Sequence, residues 1–188
     1  MVKKSPKYRI IVTGVPTSGK STFARELTKK CNLEHFQIDV VIQAFQEIFP
    51  KLGIKHVQTI KEQRAVSKKF KKFLFSTVDA LDSKRGNFII EGFQIPLSDT
   101  FRKYNKTHQF FVFGFPNATP EERIITSRKY DPENWTSDFT DKQLHKIFSF
   151  LIQESKNLQK TCKRLHIPFI DTSENYPEAI RKAVKMLK

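Results

Sequence analysis

Apolar positions along the chain change their spacing several times, and each change marks an element. The stretch "YRIIVTG" (residues 8–14) is a β-branched run closed by Gly, which predicts a strand buried on both faces. In "KSTFARELTKKC", Phe23 and Leu27 stand four apart among charges, the spacing of a helix. "EHFQID" reads as a second short strand, and from Val40 the spacing is helical until Pro50 and Gly53 stop it. Between Gln58 and Asp82 the residues Val66, Phe70, Phe73, Leu74, Val78 and Leu81 recur at threes and fours. Lys68, Lys69, Lys71 and Lys72 fall on other faces, so a long amphipathic helix is expected.

"NFIIEG" (87–92) predicts a third strand and "HQFFVFGF" (108–115) a fourth. The polar stretch 117–138 reads as a short helix and a loop. A single apolar face through Leu144, Ile147, Phe148, Leu151, Ser155, Leu158, Cys162 and Leu165 marks a second long helix. "IPFIDTS" is a fifth strand, and "YPEAIRKAVKMLK" a closing helix with Pro177 near its start. Strands alternating with helices predict an α/β fold with a largely parallel sheet covered on both faces. No internal repeat or Gly/Ser-rich linker divides the 188 residues, so a single domain over 1–188 is expected. The phenylalanines, at helical and strand spacing, are assigned to the core rather than to a stacking platform.

Composition adds a strong charge imbalance. The net charge of +15 favours an anionic partner, but the lysines come in small groups, at Lys3 and Lys4, "KKFKK" (68–72) and "RKYNK" (102–106), rather than in a tail. A lysine-rich solvated surface is therefore preferred to a nucleic-acid track. Cys31 and Cys162 have no Cys or His at ligand spacing and read as two reduced thiols. The basic N-terminus lacks an apolar core, and no apolar run reaches the ~20 residues of a membrane span, so a cytoplasmic location is expected.

Chemistry enters at "GVPTSGKST" (14–22). Gly14, Gly19, Lys20 and Ser21 match G-x-x-x-x-G-K-[ST], with the required strand before and helix after. Glycines let the backbone approach a polyphosphate, and the following helix aims its N–H groups and dipole at the same anion. Gly14, Val15, Pro16, Thr17, Ser18, Gly19, Lys20, Ser21 and Thr22 are thus the expected nucleotide contacts. Lys20 supplies a point charge to the β- and γ-phosphates, and the Ser21 hydroxyl takes one position on Mg²⁺.

The GTPase base-reading motif N-K-x-D is missing, since "NKTH" (105–108) ends in His. Motor and AAA-type ATPases are usually longer and carry adjacent acids at the metal strand, where "NFIIEGF" has one. With this loop, an acid after the second strand and arginines late in the chain, the layout resembles the small P-loop kinases. These include adenylate, shikimate and gluconate kinases and the kinase domain of polynucleotide kinases. The resemblance implies a three-layer α/β sandwich with a five-stranded parallel sheet, the nucleoside monophosphate kinase-like form of the P-loop NTP hydrolase fold. It also implies ATP and Mg²⁺ as cofactors, an acceptor-binding helical insertion over 41–82 and a lid over 117–138.

Residue by residue, the resemblance places Asp39 beside the acceptor hydroxyl as proton acceptor and orienting group. Asp39 is also a helix N-cap candidate, without a capping box because Ile42 stands three positions on. Glu91, before Gly92, matches the acid of "DGFPR" in adenylate kinases and is expected to hold a water on Mg²⁺ or to touch the acceptor. Here Gln94 and Ile95 replace that family's Pro and Arg, which argues against a nucleoside monophosphate as acceptor. Arg123 and Arg128 fall in the lid segment and are expected to close over the triphosphate. Thr172, in "DTSEN" (171–175), lies where related kinases wrap backbone around adenine. His56, Gln63 and Arg64 are polar candidates in the insertion, and Trp135 stands over the pocket or against the lid.

The expected function is transfer of the γ-phosphoryl group of ATP to a hydroxyl of a small molecule, anionic if the basic face meets it. A 5′-hydroxyl kinase acting on nucleic-acid ends is a less favoured alternative, and a non-enzymatic nucleotide switch another. Oligomeric state and a preference for ATP over GTP leave no mark in the sequence.

Overall fold

A computed structural model describes residues 8–56, 60–84 and 86–187. Its strands are β1 (Arg9–Gly14), β2 (Glu34–Gln37), β3 (Phe88–Glu91), β4 (Gln109–Gly114) and β5 (Phe169–Asp171). They form one five-stranded sheet in the order β2-β3-β1-β4-β5. The helices are α1 (Lys20–Cys31), α2 (Ile38–Ile48), α3 (Ile60–Ser83), α4 (Leu97–Tyr104), α5 (Pro120–Tyr130), α6 (Asp141–Leu165) and α7 (Tyr176–Lys185). β3 lies parallel to β1 and β2, and β4 parallel to β5, the arrangement that crossover helices permit. The α/β fold with a parallel sheet is therefore as the periodicity predicts. Chain contacts define two compact units, Met1–Thr13 with Ala24–Phe110, and Gly14–Phe23 with Phe111–Lys188.

In the first unit the register sets Ile10 opposite Ile89, Ile11 opposite Ile90 and Val12 opposite Glu91. All six are buried, which explains why these strands show apolar runs rather than alternation. Ile38 and Ile42 are the buried residues of α2, one turn apart, and a 3-10 turn over Pro50–Leu52 ends at Gly53, whose φ of 62° is left-handed. On α3, Val66, Phe70, Leu74 and Val78 are buried, as expected; the expected start at Gln58 lies outside the described residues. Not every phenylalanine is core. Phe49 and Phe73 are exposed, Phe73 lying 5.1 Å from the Phe45 ring at the edge of the helix pair.

Helix α4 was not expected, because "RKYNK" reads as charge. Leu97, Thr100 and Tyr104 are buried along one of its sides, and Phe101 meets Phe110 edge-on at 5.2 Å. The Tyr104 hydroxyl donates to Asp79 Oδ1 at 2.8 Å, and burial pushes that phenol up to about 12. Lys103 donates to Asp79 Oδ2 at 2.8 Å and holds that carboxyl below its usual range. His108 Nε2 lies 3.4 Å from Asp82 Oδ1, itself 3.1 Å from Arg9 Nε.

The second unit is built on Val15, Phe115, Ala118, Ile124, Leu144, Phe148, Leu151 and Ile152, a buried cluster that joins α5 to α6. Both helices open with reciprocal caps. Thr119 pairs with Glu122 and Thr140 with Gln143, so each first turn has backbone donors satisfied. After α5 the chain turns on Asn134, whose Nδ2 donates to Ser127 Oγ at 3.0 Å and whose Oδ1 accepts from the Thr136 amide at 2.8 Å.

Candidate nucleotide site

Where β1 ends, three backbone angles curl the chain. Gly14 has φ 141°, Thr17 φ 59° and Gly19 φ 98°. A Cβ on Gly14 would lie 2.1 Å from the Phe113 carbonyl oxygen, and one on Gly19 would lie 2.7 Å from Ile180 Cδ1. Both glycines are thus fixed by packing as well as by φ. Thr17 has a side chain in the left-handed region, a strained state that is held only where the surroundings impose it.

Inside the curl, Ser18 Oγ donates to Val15 O at 2.7 Å and Lys20 Nζ donates to the same oxygen at 2.8 Å. Lys20 is buried, so its ammonium is held within the loop rather than left to solvent. The Phe23 amide donates to Gly19 O at 2.9 Å, which starts α1. The amides of Lys20, Ser21 and Thr22 belong to the first turn, where a helix supplies no internal acceptor and its dipole is positive. Inward-curling backbone, first-turn amides and an ammonium make a donor set for the phosphates of a nucleotide. The Thr17 hydroxyl is buried at the loop without a hydrogen-bond partner among the described residues.

Two residues hold this loop from within the second unit. Arg123 on α5 is 0% exposed; its Nη2 donates to Thr17 O at 2.8 Å and its Nη1 to Thr172 O at 3.1 Å. Its guanidinium lies 4.0 Å from the centre of the Phe115 ring. Burial pushes Arg123 down to about 10, so it stays charged at neutral pH. Thr172 donates its hydroxyl to Ser18 O and Gly114 O at 3.3 and 3.2 Å and its amide to Gly114 O at 2.8 Å.

Arg123 and Arg128, expected to close over a triphosphate, have different partners in the structure. Arg123 has both terminal nitrogens committed to carbonyls, whereas Arg128 is exposed and pairs with Asp141 at the start of α6. The Thr172 side chain holds the loop through Ser18 O and Gly114 O. Trp135 is exposed and meets Phe139 edge-on at 5.9 Å.

The acids are in the first unit. Asp39 is exposed in the first turn of α2, whose N-cap is Gln37, so the capping alternative for Asp39 does not hold. Its carboxylate favours that turn through the dipole and stays accessible to solvent. Glu91, at the end of β3, is 2% exposed, with His35 Nε2 3.4 Å from its Oε1. Sequence reasoning overlooked His35. Strand parity was the available signal, because β2 register sets Gln37 opposite Glu91 and His35 points to the same side two residues earlier. In the insertion, Gln63 is buried with its Nε2 3.4 Å from Ser67 Oγ, while His56 and Arg64 are exposed.

Ser21 lies in the second unit and Glu91 in the first, and each offers oxygen, the donor type that Mg²⁺ takes beside substrate phosphates. No cluster of three or more His, Cys, Asp or Glu that could hold a metal ion occurs among the described residues. No helix among the described residues is long and apolar enough to cross a membrane.

A family described as an AAA domain matches residues 10–145. The match spans the loop motif and the first four strands, and it is consistent with the small P-loop kinase resemblance. Among solved structures, a shikimate kinase from Bacteroides thetaiotaomicron superposes with a TM-score of 0.59 at 14% identity, over 95% of this chain and 97% of that one. A gluconokinase from Sinorhizobium meliloti superposes with a TM-score of 0.56 at 12% identity, over 97% of this chain and 92% of that one. At such identities the likeness is one of fold, and it agrees with the small P-loop kinase layout read from the sequence.

Proposed function

The chain belongs to the AAA domain family, and we propose that within it this protein is a phosphotransferase that moves the γ-phosphoryl group of ATP to a hydroxyl of a small molecule. The observation that carries the proposal is the loop itself. Three positive φ angles, two donors on Val15 O and the start of α1 at Lys20 form a phosphate cradle that a decayed motif would have no reason to keep.

Bound Mg²⁺-ATP supplies the transferable group and the ion's charge neutralisation. Lys20 and the amides of 19–22 hold the phosphates, and the Ser21 hydroxyl with Glu91 offers oxygen to the ion. Asp39 orients the acceptor hydroxyl and takes its proton as the new O–P bond forms and the bond to the β-phosphate oxygen breaks, leaving ADP. Arg123 is a positioning residue, fixing Thr17 from the protein side. The single-domain organisation and the acceptor role of 41–82 belong to the same proposal. So does a small anionic acceptor, to which the surplus of lysines is suited.

The test is an acceptor panel of nucleosides, nucleotides, sugars, hydroxy acids and 5′-hydroxyl oligonucleotides, scored for ADP release above background hydrolysis and for phosphate on the acceptor. Transfer to one class of small molecule is the expected result. Transfer to oligonucleotide ends would instead establish the polynucleotide kinase reading, and altered partner binding with no transfer would establish a switch.

A further inference from the structure

Tyr176, the first residue of α7, has its hydroxyl 3.0 Å from the Thr22 hydroxyl in the first turn of α1. Its ring also borders the loop, since a Cβ on Gly19 would come within 3.0 Å of Tyr176 Cε2. Tyr130, the last residue of α5, stacks on this ring with centroids 5.0 Å apart and planes 22° from parallel. Tyr130 is 43% exposed. Neither tyrosine is needed for the core of the second unit, whose buried cluster is aliphatic residues with Phe115 and Phe148. Among the described residues of that unit, Trp135 is the other large exposed ring, and it packs on Phe139 rather than toward the loop.

An aromatic pair anchored to the phosphate loop at one end and open to solvent at the other has a use that packing does not explain. We infer that Tyr176 and Tyr130 form a stacking platform for the base of the bound nucleotide, the base extending the pair on the face of Tyr130 turned away from Tyr176. This rests on the loop binding a triphosphate as proposed above. Lys129 Nζ lies 5.2 Å from the Tyr130 centroid, which shows that ring attracting a cation through its π surface. A lysine on an exposed helix end yields that place to a base at little cost. Stacking recognises ring area and not the hydrogen-bonding edge, so the platform serves adenine and guanine alike and holds pyrimidines more weakly.

The experiment compares MgATP, MgGTP, MgUTP and inorganic tripolyphosphate with magnesium, by isothermal titration, in the wild type and in Tyr130→Ala. Tyr130 is exposed, so its removal leaves the fold intact, which circular dichroism checks. Loss of the ring is expected to weaken ATP and GTP about tenfold. Tripolyphosphate affinity should stay within about twofold, because its contacts are all to the loop. Tyr176→Phe keeps the ring and should retain the preference for ATP over tripolyphosphate, whereas Tyr176→Leu should lose it. Unchanged ATP affinity in Tyr130→Ala would overturn the inference, as would equal weakening of ATP and tripolyphosphate. A wild type that binds tripolyphosphate as tightly as ATP would overturn the platform and leave the phosphate loop intact. A wild type that binds none of the four ligands would overturn the nucleotide reading and the platform with it.

Discussion

Arg123 Nη2 donates to the carbonyl oxygen of Thr17 at 2.8 Å, so a buried cation braces the one non-glycine residue of the phosphate loop that has positive φ. The strain at Thr17 and the bond from Arg123 are two sides of one device. Replacing the arginine by lysine keeps the charge but not the fork that reaches Thr17 O and Thr172 O together. Arg123→Lys is expected to lose about 1.5–3 kcal/mol of stability. Thermal unfolding measures the loss, and nucleotide affinity should fall with it.

The two loop glycines should differ in how they fail. Gly14→Ala places Cβ 2.1 Å from a backbone oxygen of β4, which no rotamer relieves, so little folded protein is expected. Gly19→Ala meets only the side chains of Ile180 and Tyr176, which can shift, but retains the strain of φ 98°. It should fold with a loss of about 1–3 kcal/mol and bind ATP poorly. Soluble yield and titration with ATP distinguish the two.

Burial holds His108 below its usual range, in the first unit, against Asp82 and Tyr104. The folded state therefore binds fewer protons than the unfolded chain, and this group's contribution to stability is present above the unfolded value and lost as the pH falls. Between about pH 7 and pH 5 the unfolding midpoint should drop, and the slope should be shallower in His108→Gln. A midpoint equally pH-dependent in the variant would assign the slope to other groups.

Asp39→Asn retains the shape of the side chain and removes the proton acceptor. Transfer to the acceptor should fall about 10²- to 10⁴-fold while ATP affinity is unchanged. Single-turnover transfer beside equilibrium binding measures both, and full-rate transfer would remove Asp39 from the chemistry.

Much of the fold was legible because buried parallel strands and amphipathic helices leave unmistakable spacing. "YRIIVTG" became β1 from Arg9 onward, and "KSTFARELTKKC" became α1 with the same ends. Helix α4 was not legible, because its inward positions include the polar Thr100 and Tyr104, and Tyr104 finds its partner Asp79 25 residues away in sequence. The loop motif was legible for the same reason that it works, since close backbone approach demands glycine. Arg123 was found and its orientation missed: spacing shows that an arginine follows the fourth strand, but only packing shows it turned inward onto Phe115 and Thr17. Tyr176 was passed over as the start of a helix, with nothing local to reveal its contact with Thr22.

The most direct measurement is calorimetric titration of MgATP into the wild-type chain and into Lys20→Ala. Saturable binding in the wild type, weakened at least about tenfold when the ammonium is removed, is the predicted result. No binding by the wild type, or equal affinity in both proteins, would contradict a phosphate cradle at Gly14–Thr22 and with it the proposed reaction.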